Sequence, residues 1–259
     1  MIDAILFDLG DTIIDFGVGR AEAEVLFRRG AHITYDHLAA TGKPVGTFQS
    51  YFKAHYSCMR RAYLWSKIRR RDFSYAAVIR KVASRLNLGI AEADFAELAW
   101  LWYRPILEDS HVDPGVKAML AQLRAAGTKL AIVSNTVVPA SCLDRHLEQE
   151  GLLEFFPIRV YSSDVRFRKP HPRIFEIALE KVGVARDRSL FIGDLLQVDI
   201  LGAKRHGMKT VWKPARNSNH TGKHKYKPDA TIRRVTELPE ILPQFGWHPN
   251  RKALVESAA

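Results

Sequence analysis

The sequence predicts an α/β protein: a Rossmann-like core in which helices flank a parallel sheet, with a helical cap domain inserted into it. Three observations carry this. The stretch "AILFDLGDTIID" opens with an uninterrupted apolar run over residues 4–7, the pattern of a short strand buried on both faces. From residue 20 to about residue 107 apolar residues recur at three-to-four spacing, with no convincing strand among them. Beyond Asp113-Pro114-Gly115 the rhythm becomes strand, helix, strand, which implies a parallel sheet with right-handed crossovers.

The elements follow in order. A strand spans 4–7, and helical periodicity covers 21–27, 48–65, 75–88 and 92–102, with Gly17, Gly19, Gly42, Pro44 and Gly46 punctuating the early part. Helix 116–126 is stopped by Gly127, and a strand follows at 129–133. Helix 142–150 stops at Gly151, ahead of a strand at 158–161; helix 173–182 closes at Gly183, ahead of a strand at 189–192. Glycine suits such ends because it adopts the left-handed backbone that terminates a helix. Helix 199–206 closes at Gly207, strands follow at 209–212 and 230–232, and a last helix at 235–242. The expected division is a core of 1–15 and 110–245, a helical cap of 16–109 and a C-terminal tail of 246–259. Residues 216–227 read as a polar, basic loop, and no internal repeat is visible.

Composition narrows the classes. The chain of 259 residues is 47% hydrophobic and 26% charged, an ordinary globular balance. No run reaches the roughly 18 apolar residues of a membrane span, and the N-terminus lacks a signal-peptide pattern. Two cysteines, Cys58 and Cys142, are too few for a disulfide framework or a zinc site. A cytoplasmic setting is the plain expectation. The net charge of +11 is concentrated: ten Lys/Arg against Asp72 alone over 53–85, and ten against Asp229 alone over 204–234. Such fields attract anions. The plain reading is a solvated basic surface, so nucleic acid is not the favoured partner. Nothing in the sequence sets the oligomeric state.

In open parallel sheets ligands bind at the carboxyl ends of the strands, and four stretches place reactive residues there. Asp8 ends the first strand, where a carboxylate can act as a nucleophile. Ser134-Asn135-Thr136 ends the second, offering a hydroxyl and backbone N–H groups to phosphate oxygens. Lys169 lies in Lys169-Pro170-His171-Pro172 just before a helix, where an ammonium can offset anionic charge. "FIGDLLQVDILGA" supplies Asp194 and Asp199, five residues apart and suited to Mg²⁺, a hard ion that takes oxygen ligands. Singly, each is a common cap or turn former; the order and spacing of the set carry the information.

That ordered set resembles the haloacid dehalogenase-like (HAD) hydrolase superfamily, phosphatase-type. The resembling stretches are "LFDLGDTI", "LAIVSNT", "VRFRKPHPRIFEIALEKVG" and "SLFIGDLLQVDILGAKRHGMKTVW", with "YKPDATIRRVTELPEIL" resembling the end of the core. By position and helical content the insert resembles the family's C1-type cap, although no motif within it is recognisable. The resemblance implies a Mg²⁺-dependent phosphohydrolase acting on a small phosphorylated metabolite through an aspartyl-phosphate at Asp8. It implies that Mg²⁺ is held by Asp8, Asp194 and the Gly10 carbonyl, with Asp199 supporting the shell. It further implies that Ser134 and the Asn135 N–H bind phosphoryl oxygens and that Lys169 orients Asp8.

One position departs from the pattern. The family's phosphatases carry a second Asp two residues after the nucleophile, as general acid and base; here that residue is Gly10. Such help is typically worth ~10²–10⁴-fold, and its loss bears most on alkyl phosphates, whose leaving groups are poor. Asp11, one residue late, is the candidate substitute. Family dehalogenases also lack the second Asp, so 2-haloacid dehalogenation is a rival, though it needs no metal and Asp194 and Asp199 argue against it. Phosphonate cleavage would call for a Schiff-base lysine in the cap, with Lys43, Lys53 or Lys67 available. A phosphate- or RNA-binding protein with little turnover, on the same scaffold, is the alternative of a different class.

Overall fold

Six strands, β1 (Ala4–Phe7), β2 (Lys129–Ser134), β3 (Ile158–Tyr161), β4 (Ser189–Gly193), β5 (Lys209–Trp212) and β6 (Ala230–Thr231), form one parallel sheet in the order β3-β2-β1-β4-β5-β6. The computed structural model describes residues 1–17, 20–69, 71–215 and 226–247. The chain leaves β1 toward one edge, returns, and fills the other from β4, so β1 borders the point where strand order reverses, the place where such sheets form a crevice. Phe7 pairs with Ile132 on one side and Ile192 on the other, so Asp8 leaves the sheet between Val133-Ser134 and Gly193-Asp194.

The apolar run of β1 is explained by two cores. Ile5 and Phe7 pack with Leu130, Ile132, Leu190 and Ile192 on one face. Ala4 and Leu6 pack with Ala131, Val133 and Phe191 on the other. Alternate side chains of a strand point to opposite faces, and here both faces are dry. The first face is covered by α5 (Val116–Ala125) and α6 (Ala140–Gln149), and its core runs on into the insert. Beyond β3 comes the short α7 (Ser162–Val165), and the second face is covered by α8 (Pro172–Val182) and α9 (Leu201–Arg205).

The insert holds α1 (Arg20–Ala40), α2 (Phe48–Arg69), α3 (Tyr75–Arg85) and α4 (Phe95–Glu108). Their bounds differ from the sequence reading, most at α1 and α4. α1 runs past Phe27 through Arg28-Arg29-Gly30, because Gly30 lies where α4 crosses; a Cβ there would sit 2.4 Å from the Trp102 carbonyl oxygen. α4 runs past Trp102 and contains Pro105, which removes one donor without ending the helix. Beyond β6 the expected single helix is instead three short turns, with α10 (Leu238–Ile241) in the middle and Pro239 and Pro243 interrupting. Trp247, expected at the head of a loose tail, is buried, and its indole N–H donates to Thr128 Oγ1 at 2.8 Å. Arg70, residues 216–225 (most of the expected basic loop) and the rest of the tail lie outside the described residues. No helix among the described residues is long and apolar enough to cross a membrane.

The two connections between insert and sheet run side by side, and Asp15 and His111 exchange backbone hydrogen bonds of 2.9 Å each. Within the insert Tyr75 stacks on Trp102 with centroids 3.8 Å apart, and its hydroxyl bonds His55 Nε2 at 2.7 Å. Tyr103 likewise bonds the buried His146 at 2.8 Å. Burial pushes the imidazole of His55 down to about 3 and that of His146 down to about 4.

These depressed values set a sign. Between them and the free-chain value near 6.5 the unfolded chain holds the proton and the folded chain does not, so stability is complete above pH 6.5 and falls as pH drops. Each histidine should contribute a loss of about 1.4 kcal/mol per pH unit below ~6. The raised carboxylates described below act in the opposite sense, so the measurement is a difference: urea unfolding of the parent and of His55→Phe from pH 7 to pH 5. The parent should lose stability faster, and parallel curves would refute a neutral buried His55.

Candidate active site

Three strand ends and the loop between α7 and α8 build the site. The Asp8 N–H extends the ladder by donating to the Ile192 carbonyl at 2.8 Å, so Asp8 is held by the sheet before its side chain enters the crevice. Gly193 ends β4 and delivers Asp194, and a wide turn at Leu196–Ile200 carries Asp199 back beneath the strand end. Asp199 Oδ2 accepts the Leu195 N–H at 2.9 Å. That return passes through the space of a missing side chain: a Cβ on Gly193 would lie 2.5 Å from Asp199 Cβ. The "GD" of the fourth stretch is thus glycine because the second acid folds over it.

Lys169 is 2% exposed and its ammonium stands between two carboxylates, 2.7 Å from Asp8 Oδ1 and 2.8 Å from Asp199 Oδ1. Burial disfavours its charge, but Asp199 and Asp8 outweigh burial and raise its pKa. Asn135 fixes the segment, its Oδ1 accepting the Lys169 N–H at 2.7 Å and its Nδ2 donating to the Lys169 carbonyl at 2.9 Å. The asparagine side chain therefore locks the second stretch to the third.

Carboxylate oxygens of Asp8, Asp194 and Asp199 lie within 4.8 Å of one another, and all three residues are buried. Burial first, then the neighbouring Asp8 and Asp199 charges, push Asp194 up to about 9, and burial drives Asp199 up to about 6 against the pull of Lys169. Asp194 forms no ion pair among the described residues. Three buried carboxylates against one ammonium leave the cluster short of positive charge. An all-oxygen, net-negative pocket is the donor chemistry that a hard divalent cation such as Mg²⁺ requires, so the residues fit that ion.

On the other side Asp8 lines a cavity of about 270 Å³ together with Gly10, Ser134, Asn135 and Thr136. The remaining wall is Leu9, Phe16, Tyr103, Ile106, Val138 and Leu143, so the space next to Asp8 is mostly apolar. Gly10 lies against Phe16, whose ring carbons would be 3.1 and 3.2 Å from a Cβ at residue 10. Asp11 does not line this cavity. It adopts φ +53°, and burial and the Asp15 carboxylate hold its carboxyl above the usual range, with the Phe16 N–H and Lys213 pulling the other way. Lys43, Lys53 and Lys67 are also absent from its lining.

Several residues here were not singled out from the sequence. Lys213, just beyond β5, is buried and donates to the Asp11 carbonyl at 2.5 Å, and its strand-end position was the available signal. Asp72, the lone acid of the first basic run, accepts the Ser162 hydroxyl at 2.7 Å, and Ser162 Oγ accepts the Thr136 N–H at 2.8 Å. Phe16 and Tyr103 carry no local signal, since only the folded chain brings them to Asp8.

A model of haloacid dehalogenase-like hydrolases matches residues 2–207. The chain belongs to this family. The hydrolase is 30% identical over 221 residues to a glyceraldehyde 3-phosphate phosphatase of Pyrococcus abyssi, covering 82% of this chain and 81% of that protein. It is 37% identical over 100 residues to a phosphoserine phosphatase of Thermus thermophilus, covering 38% of this chain and 39% of that one. Its fold is shared with a 2-haloacid dehalogenase of Pseudomonas syringae at TM-score 0.65 and 21% identity, covering 95% of this chain and 100% of the other. A HAD phosphatase of Thermococcus onnurineus has the fold at TM-score 0.59 and 24% identity, covering 93% and 98%.

The contact at Gly193 yields a test. Gly193→Ala should displace Asp199 and destabilise the hydrolase by about 1–3 kcal/mol in urea unfolding, the usual cost of overpacking. In an Asp199→Gly background, which lacks the opposing atoms, the added cost of Gly193→Ala should fall to near zero. A G193A midpoint equal to the parent's would contradict the close approach.

Proposed function

We propose that this hydrolase is a phosphohydrolase that attacks small phosphorylated compounds with Asp8, and that its preferred substrates have an activated, apolar leaving group. The observation that carries the reading is the buried cluster of Asp8, Asp194 and Asp199 around Lys169, opening beside Asp8 onto a cavity without a second acid. In this reading Asp8, Asp194 and Asp199, with the Gly10 carbonyl, would hold Mg²⁺, which supplies positive charge to phosphoryl oxygens when bound. Helices α1–α4 act as the cap over the sheet crevice.

Asp8 attacks phosphorus: a carboxylate-oxygen–phosphorus bond forms, and the bond from phosphorus to the leaving oxygen breaks with its electron pair. The Ser134 hydroxyl and the Asn135 N–H hold the phosphoryl oxygens, and Lys169 orients Asp8 and offsets its charge. Water then attacks phosphorus, the aspartyl-phosphate bond breaks, phosphate departs and the Asp8 carboxylate is regenerated. Phe16 fills the space beside residue 10, so no carboxyl there protonates the leaving oxygen. The leaving group departs as an anion, which favours acyl phosphates, anhydrides and aryl phosphates over alkyl phosphates. Leu9, Ile106, Val138 and Leu143 suit an apolar organic portion. The apolar cavity and Gly10 also suit a haloacid, which keeps dehalogenation as the second reading.

With Mg²⁺, acetyl phosphate and p-nitrophenyl phosphate should be hydrolysed with kcat/KM about 10²-fold or more above glycerol phosphate. Asp8→Asn should abolish both activities, and a chelator should suppress them. Chloride release from 2-chloropropionate in the presence of chelator, without phosphate release, would establish the second reading instead.

The missing acid gives a separate prediction. Gly10→Asp alone should be hindered by Phe16. In Gly10→Asp/Phe16→Ala the new carboxyl has room, and turnover of glycerol phosphate should rise by about tenfold or more relative to Phe16→Ala alone. An unchanged alkyl-to-aryl ratio in the double variant would show that residue 10 does not govern leaving-group choice.

A further inference from the structure

A second cavity, about 950 Å³, is lined by α2, α3, the segment joining them, and Ser163 and Arg166 at α7, and shares no lining residue with the Asp8 cavity. Its walls carry Arg61, Arg69, Arg71, Lys81, Arg85 and Arg166. Among the described residues none of the six forms an ion pair, whereas Arg29, Arg80, Arg124, Arg145, Arg159 and Arg173 elsewhere on the surface each face a carboxylate. The lone acid in the wall, Asp72, is already engaged by the Ser162 hydroxyl at 2.7 Å and lies 3.9 Å from Arg168. The groove is thus a field of uncompensated cations, and such a field concentrates anions.

Aromatic surface accompanies the charge. Trp65 lines the groove, is 55% exposed, and has the Arg69 guanidinium 5.0 Å from its ring. Across α2 a further cavity of about 1000 Å³ shares Arg61 and adds Arg28, Lys53 and Arg60. From Lys53 to Arg69 the helix rises roughly 24 Å, so the cations form an extended track beside an open indole face. Flat acidic membranes match neither the concavity nor the stacking face.

We propose that this groove binds single-stranded nucleic acid, with the cations on successive phosphates and Trp65 stacked on a base. Charge along a backbone track and aromatic platforms for bases are the two components such binding uses. The groove's lining shares no residue with the Asp8 cavity and, among the described residues, includes one acid, Asp72, so it is a binding surface distinct from that cavity.

The test is fluorescence anisotropy of a labelled single-stranded RNA 15-mer with the full chain, titrated from 50 to 200 mM KCl. Binding should weaken with salt, with a log–log slope of about −0.7 per phosphate engaged. Arg61→Glu/Arg69→Glu should weaken binding at least tenfold and flatten that slope. Trp65→Ala should weaken it severalfold with the slope unchanged, and Asp8→Asn should leave it intact. Circular dichroism and urea midpoints equal to the parent's show that the surface variants remain folded. No binding at 50 mM salt, or binding insensitive to R61E/R69E, overturns the proposal. So does R61E/R69E-sensitive capture by phosphatidylserine vesicles without RNA binding, which assigns the surface to lipid, or saturation by inorganic tripolyphosphate without any oligonucleotide affinity.

Discussion

The buried Lys169 ammonium is the interaction on which the site depends. Lys169 and Asp199 are almost wholly removed from water, and an ion pair in that setting holds only when geometry and further hydrogen bonds compensate the lost hydration. The compensation is visible. Lys169 meets two carboxylates rather than one, the Leu195 N–H occupies the other oxygen of Asp199, and Asn135 clamps the Lys169 backbone from both sides. Through these contacts the Lys169 loop is tied to the ends of β1 and β2 and to the turn after β4, so the charge arrangement also holds the crevice in shape. Removing the lysine would leave three buried carboxylates within 4.8 Å of one another without the ammonium that pairs two of them.

The insert is coupled to that arrangement through polar contacts. The Tyr75 N–H donates to the Val137 carbonyl at 2.7 Å and the Asp72 N–H to the Arg166 carbonyl at 2.9 Å, so the α2–α3 connection rests on the loops after β2 and after α7. Through Ser162 the Asp72 carboxylate reaches the Thr136 N–H, and Thr136 lines the Asp8 cavity. Tyr103 and Phe16 from the insert side complete the same wall. A displacement of the α2–α3 connection therefore changes hydrogen bonds one residue from Ser134-Asn135, which gives the basic groove a physical connection to the Asp8 cavity.

The sheet and the chemical residues were legible because they are local patterns. A continuous apolar run followed by an acid marks a buried strand ending in a crevice, as at Asp8 and Asp194, and Ser134 ends a third such run. What escaped depends on partners distant in sequence. The helix expected over 21–27 falls short because only the fold shows Trp102 crossing at Gly30, and the one expected over 92–102 falls short because the chain stays helical through Pro105. Trp247 reads as tail because its burial is supplied by Thr128, more than a hundred residues earlier. Arg61 and Arg69 are visible in the basic run over 53–85, but that they line one groove with Arg166 depends on the fold.

Gly10 shows how one absent side chain reaches from turn geometry to reaction scope. The backbone of Asp8-Leu9-Gly10-Asp11 turns sharply: the N–H groups of Ile13 and Ile14 both return to the Leu9 carbonyl, and Asp11 takes a left-handed conformation that aspartate tolerates better than most residues. That turn sends the Asp11 carboxyl toward Asp15 and Lys213 and leaves the face beside Gly10 to Phe16. An aromatic ring in place of a carboxyl exchanges a proton donor for apolar contact area. In the proposed reaction this shifts the burden of catalysis from the enzyme's acid to the substrate's own leaving group, while Lys169 and the carboxylate cluster keep the phosphoryl side unchanged. The same exchange lowers the polarity next to Asp8, so selection for activated leaving groups and selection for apolar ones arise from one feature, the Phe16 ring lying against Gly10.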